Sequence, residues 1–390
     1  MYDYLLWLLL PVAAASGWLA AQRSSRRTRR SAGDSQHPQS GYFKGLNYIL
    51  NEQPDKAIEV FVEMVQVDSE TVETHLALGN LFRKRGEVDR AIRIHQNLIA
   101  RPTLNVEQRA YALLELGQDY MSAGLLDRAE NIFLELADGT NHKAVALRFL
   151  RDIYQSEKEW EKAIAVMRRM ADATREHKNC VIAQYYCELA EAAQASKDVQ
   201  LARRHLKQAI GVDPQCARAS MLQGELEYEA GHYSNALRCY ERFVAQAPLL
   251  VDEVIENIVA CHQQLGSAEK LSGYLDALPE KTLGPLSRRI KSRLKAGAAP
   301  GTTASQAIYE SLKVCPSLSL VASWIEQLAA ERQGSGQDDM QKVQDVISRL
   351  ADERDHYRCQ HCGFVARSLH WLCPSCKHWD SFKPLDCASV

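Results

Sequence analysis

Four cysteines near the end of the 390-residue chain have the spacing of metal ligands. Cys359 and Cys362 enclose two residues, Cys373 and Cys376 do the same, and ten residues separate the pairs. Each Cys-x-x-Cys bends into a turn whose backbone N–H groups can point at sulfur, with Gly363 permitting a positive φ after the first pair and Pro374 stiffening the second. Two such turns facing one another make a tetrahedral four-thiolate site for zinc or iron. His361, His370 and His378 lie nearby but are expected outside the coordination shell, because four thiolates already complete a tetrahedron. So short a segment has little apolar core, and metal binding worth roughly 10 to 16 kcal/mol becomes its folding energy. No Gly-rich phosphate loop, Gly-x-Ser-x-Gly or His-Glu-x-x-His accompanies it, so no enzyme is expected.

The scaffold for this site is read from a recurring pattern. Thr74 to Pro102 has the residues of a helical hairpin: Leu78, Gly79 and Phe82 on one helix, Gly86 at a left-handed cap, then Ala91, His95 and Leu98 on a second helix. The small residues Gly79 and Ala91 mark where the helices cross. The alanine recurs as Ala57, Ala91, Ala129, Ala163, Ala202 and Ala236, at intervals of 34, 38, 34, 39 and 34. The residue four positions on follows in register as Phe61, His95, Phe133, Met167, Leu206 and Tyr240. A 34-residue period is that of the tetratricopeptide repeat, whose hairpins bury their apolar faces only by stacking.

The fold class expected is therefore all-α, a tetratricopeptide solenoid, with six repeats over residues 41–248 and degenerate helical hairpins over 249–350. Lys270 falls where the next alanine belongs. The extra residues of the two longer intervals are placed near Thr103 to Val106 and Ala171 to Asn179, as longer helices or loops. The four-cysteine module occupies 355–385.

Residues 1–21 are apolar apart from Asp3 and Ser16. As a helix, Tyr4 to Ala21 would rise about 27 Å, close to the roughly 30 Å hydrocarbon core of a bilayer. Arg23, Arg26, Arg27, Arg29 and Arg30 follow it and no basic residue precedes it, the reverse of a secretory signal. The segment is expected to be a transmembrane anchor, with everything after it in the cytoplasm. Residues 22–40 are expected to form an arginine-rich tether. Lys plus Arg number 47 against 49 Asp plus Glu, a balance that gives no reason to expect nucleic acid as a partner. The remaining seven cysteines are scattered singly, which suits a reducing compartment and core positions rather than a disulfide framework.

Anchor, tether, repeats and terminal cysteine pairs, in that order, resemble the lipopolysaccharide assembly protein B family of Gram-negative bacteria. The resemblance is carried by LLLPVAAASGW (Leu8 to Trp18), LGNLFRKRGEVDRAIRIHQNL (Leu78 to Leu98), YRCQHCGF and CPSCKHWDSFKP. Cys-x-x-Cys-Gly and Cys-Pro-x-Cys also look like rubredoxin knuckles, and the family's terminal module is described as rubredoxin-like. The resemblance implies an inner-membrane adaptor, acting with other lipopolysaccharide assembly proteins, that promotes degradation of the LpxC deacetylase by the membrane protease FtsH. Cys359, Cys362, Cys373 and Cys376 carry over as ligands of one iron or zinc ion. The rival readings are a rubredoxin-type electron carrier and a general scaffold for envelope-synthesis enzymes; the ten-residue spacing, shorter than in free rubredoxins, weighs against electron transfer.

Overall fold

A computed structural model describes residues 38–67, 71–139, 142–170, 175–298, 303–331 and 337–385. The anchor segment 1–21 and most of the tether lie outside the described residues. Among the described residues no helix is long and apolar enough to cross a membrane. The chain divides into two compact units, Met1–Glu157 and Lys158–Val390.

The first unit contains α1 (Pro38–Leu50), α2 (Pro54–Val67), α3 (Val72–Lys84), α4 (Val88–Ile99), α5 (Val106–Ser122), α6 (Leu126–Asp138) and α7 (Lys143–Ser156). Neighbouring helices pair as antiparallel hairpins because a bulky side chain on each second helix lies directly on the backbone of the first. A Cβ built on Gly45 would come within 2.5 Å of the Phe61 ring, one on Gly79 within 2.4 Å of His95, and one on Gly117 within 2.6 Å of Phe133. Each glycine precedes its ring by sixteen residues. Ala57, Ala91 and Ala129 are fully buried beside these rings, so the repeat register read from the alanines is the register of the core.

His95 occupies a position where its counterparts are apolar, and it is fully buried. Its Nδ1 donates to Asp119 Oδ2 at 2.5 Å. The same carboxylate accepts from Arg83 Nη1 at 2.8 Å, while Arg83 Nη2 donates to Glu115 at 2.6 Å. A network joining α3, α4 and α5 thus satisfies Nδ1, while Nε2, against Gly79, has no hydrogen-bond partner among the described residues.

The second unit continues with α8 (Trp160–Arg169), α9 (Arg175–Ala195), α10 (Val199–Val212), α11 (Ala217–Glu229), α12 (Tyr233–Gln246), a 3₁₀ turn (Pro248–Glu253), α13 (Ile255–Gln264) and α14 (Ala268–Ala277). After a short 3₁₀ turn come α15 (Pro285–Ala298), α16 (Ala304–Val314), α17 (Leu318–Glu331) and α18 (Gln337–Asp352). Ala163, Ala202 and Ala236 are again fully buried, with Met167, Leu206 and Tyr240 at 1% exposure or less. The extra residues of the longer intervals lengthen first helices: α5 has 17 residues against 13 in α3, and α9 has 21.

The inter-helix turn is more regular than its glycines. Gly86, Gly124 and Gly231 have positive φ, as expected, but Glu52, Lys158 and Lys197 take the same left-handed conformation in the repeats that lack glycine. Gly266 adds a further turn of this kind, 35 residues after Gly231. It places Leu271 and Leu275 in the core at 3% and 0% exposure, while Lys270 is exposed. The hairpin α13–α14 is therefore a continuation of the array shifted by one residue, and Lys270 does not stand at the alanine position.

Cys187, Cys216, Cys239 and Cys261 are buried free thiols. Cys315 departs from the expectation of single thiols, being disulfide-bonded.

Candidate metal centre and its seat

The chain leaves α18 and forms a three-stranded antiparallel sheet, order β2-β1-β3, from β1 (Tyr357–Cys359), β2 (Val365–Ala366) and β3 (Phe382–Pro384). Tyr357 pairs with Ala366 on one side and Pro384 on the other, which holds the first knuckle beside the end of the module. The two knuckles are built alike. Gly363 N–H donates to Cys359 O at 2.9 Å and Lys377 N–H to Cys373 O at 3.0 Å, and both residues have positive φ. Lys377 thus does in the second turn what Gly363 does in the first, although a lysine gives no signal of it in the sequence.

The turns bring the four cysteines together. One sulfur from each lies within 4.8 Å of all the others, and the Cys359–Cys376 and Cys362–Cys373 pairs are 3.7 Å apart. A tetrahedral ion with metal–sulfur bonds of about 2.3 Å needs sulfurs about 3.8 Å apart, so the set fits such an ion. Cys359 and Cys373 are buried; Cys362 is exposed. Burial opposes ionisation of both thiols of the Cys359–Cys376 pair and, with the neighbouring sulfurs, pushes Cys376 up to about 12, whereas the Ser381 hydroxyl and the N–H groups of Cys362 and His361 hold Cys359 down at about 6, so Cys359 ionises first. That is the thiolate a metal requires.

The module has a small core of Cys359, Ala366, Cys373 and Phe382, and its Tyr357, Trp371 and Trp379 face the repeats of the second unit. Trp379 meets Trp160 at a ring-centroid distance of 6.2 Å and Tyr185 at 5.7 Å, both edge-on. The Arg218 guanidinium lies 6.0 Å from the Trp371 ring and 5.9 Å from that of Trp379. This guanidinium is 4% exposed and is held from behind by Glu188 and Glu191, each at 2.8 Å. A desolvated cation over two indoles is a strong form of the cation–π contact. Tyr357 donates its hydroxyl to Glu253 in the 3₁₀ turn, and burial pushes its phenol upward. Beside this seat, Glu225 is raised to about 7 by burial and by the carboxylates of Glu191 and Glu229.

No periodicity or ligand spacing in the sequence marks the seat residues as contacts. The one available signal is the aromatic content of residues 357–384: Tyr357, Phe364, Trp371, Trp379 and Phe382 are more than four buried positions can absorb. The short segment after Leu350 keeps the module beside the last hairpins, where Tyr357 and Pro384 line one cleft with Leu318 and Ala351; its aromatic seat lies on α8, α9, α11 and the 3₁₀ turn.

The rubredoxin metal binding domain family matches residues 357–384, and tetratricopeptide repeat families match residues 74–110, 146–181 and 187–250. The chain is 38% identical over 383 residues to lipopolysaccharide assembly protein B of Escherichia coli (strain K12), covering 98% of each. It is 33% identical to the protein of that name from Haemophilus influenzae, again covering 98% of each. Among solved structures, the C-terminal part of a TPR repeat-containing protein from Cytophaga hutchinsonii is similar at a TM-score of 0.39 and 14% identity, covering 61% of this chain and 95% of that one.

Proposed function

Since the chain belongs to the lipopolysaccharide assembly protein B family, we propose that it serves lipopolysaccharide assembly as a non-catalytic adaptor at the inner membrane, promoting FtsH-dependent proteolysis of the LpxC deacetylase. The family likeness over 98% of the chain is the observation that carries this reading. The seat of the metal module supports it further, because a module packed against repeat helices makes one continuous protein-binding surface of both. In this reading residues 1–21 anchor the chain, and the repeats and C-terminus lie in the cytoplasm. Cys359, Cys362, Cys373 and Cys376 hold one zinc or iron ion, which supplies folding energy and orients Trp371 and Trp379 towards Arg218. An adaptor of this kind works with redox-silent zinc, whereas an electron carrier does not.

The test is the half-life of the deacetylase in cells with and without this protein, and in cells whose protein carries only zinc. The expected result is a longer half-life without the protein and a normal one with the zinc form. An unchanged half-life without it sinks the adaptor role; loss of activity in a folded zinc form turns the reading towards electron transfer.

A further inference from the structure

Outside the four-sulfur set, the module brings two histidines together at its surface. The rings of His361 and His378 stack with centroids 3.4 Å apart and planes 19° from parallel. One nitrogen from each and the sulfur of Cys376 all lie within 4.8 Å of one another. His361 sits inside the first knuckle and His378 two residues past the second, so the left-handed turns that build the thiolate site also build this pair.

We propose that His361, His378 and the Cys376 thiolate form a second metal site, for a borderline-soft divalent ion of the zinc type, with Cys376 bridging to the ion of the four-cysteine site. The inference rests on that site being loaded. Four thiolates around a divalent ion leave a net charge of 2 − 4 = −2 at the module surface, which favours a second cation at a sulfur edge. A thiolate sulfur bound to one metal keeps further lone pairs, and imidazole nitrogen beside thiolate is a donor set that suits zinc.

The tautomer is set by a hydrogen bond. Cys376 O lies 3.1 Å from His378 Nδ1, and a carbonyl can only accept, so Nδ1 carries the proton and the Nε2 lone pair is free to bind. The in-plane lone pairs of stacked rings do not meet, so both imidazoles must turn out of the stack by some tens of degrees, about 40° or more, to share an ion; both are exposed, and no packed core opposes the turn. The same exposure leaves water to take the fourth position. Such a site is open and exchangeable, unlike the closed one beneath it.

Equilibrium dialysis of the full-length protein against zinc, with bound metal counted by mass spectrometry, tests the proposal. The expected result is two zinc ions per chain, the second weaker and removed first by a mild chelator. His361→Ala and His378→Ala should each weaken the second by roughly tenfold or more, and the double variant should hold one zinc with its helical content unchanged. In the unsubstituted protein, the second equivalent alone should shift the nitrogen resonances of these two histidines, a readout that needs no variant. One zinc per chain overturns this site and leaves the four-thiolate reading standing; no zinc overturns both. A second zinc that persists in the double variant, or that binds without moving those resonances, also overturns the proposal.

Discussion

Arg83 and Arg218 show two uses of one device. Each is an arginine on the first helix of a hairpin, largely buried, with two carboxylates on its guanidinium. Arg83 takes Glu115 and Asp119 from α5, so its network joins one repeat to the next and ends there. Arg218 is backed by Glu188 and Glu191 of α9, and its open face meets Trp371 and Trp379 of the metal module. Saturation by hydrogen bonds within the array makes the first a structural joint. A free π-facing side makes the second a receptor for another module, a role that suits the planar, weakly hydrated cation of an arginine.

The largest expected effect falls on one side of this comparison alone. Cys359→Ser removes a thiolate and with it metal binding worth roughly 10 kcal/mol or more, so Arg218 loses its indoles while the Arg83 network stands. Metal content should fall to zero, tryptophan emission should shift to the red, and far-ultraviolet circular dichroism should keep the helical signal of the repeats.

Asp119→Ala strikes the other side. It leaves Arg83 short of a partner and His95 buried with no acceptor, at a cost of about 3–5 kcal/mol. Thermal unfolding should show the loss with metal content unchanged. If the variant unfolds like the wild type, the network is not the joint described.

Trp379→Ala should weaken seating by about 1–3 kcal/mol for the lost aromatic burial. The module should keep its metal but become open to proteolysis in residues 353–356. Unchanged cleavage there would mean that Arg218 and Trp379 do not hold it.

The smallest effect concerns pH. Glu225 has a folded-state value raised to about 7, so the folded chain binds more protons than the unfolded one between about 4.5 and 7. The stability associated with its protonated form is present below that window and is lost as pH rises through 7. Glu225→Gln should flatten this decline, by at most about 1 kcal/mol given the partial exposure of the group. Melting temperatures at pH 5 and pH 8 measure it; equal slopes in the two proteins would exclude Glu225 as the source.

The parts legible in the sequence are those that repeat or pair at short range. The alanine ladder and the two Cys-x-x-Cys turns are local patterns with one physical cause each. Glu52, Lys158 and Lys197 were invisible as turn residues because nothing about their side chains favours a left-handed backbone; the neighbouring helices impose it. A strict 34-residue period from Ala236 falls on Lys270, and the hairpin's one-residue slip puts Leu271 in the core instead. The seat of the module was illegible because Arg218 and Trp379 are far apart in sequence, and no period links them.

The path from α18 to β1 is four residues long, 353–356. So short a leash holds the module at an effective concentration in the millimolar range beside its seat. A free polypeptide competing for Arg218 and the Tyr185 edge must exceed that local concentration, scaled by the ratio of the two affinities. If the four cysteines hold an ion, its loss would unfold the module and remove the tethered occupant, leaving Arg218 and the Tyr185 edge to other chains at far lower concentration.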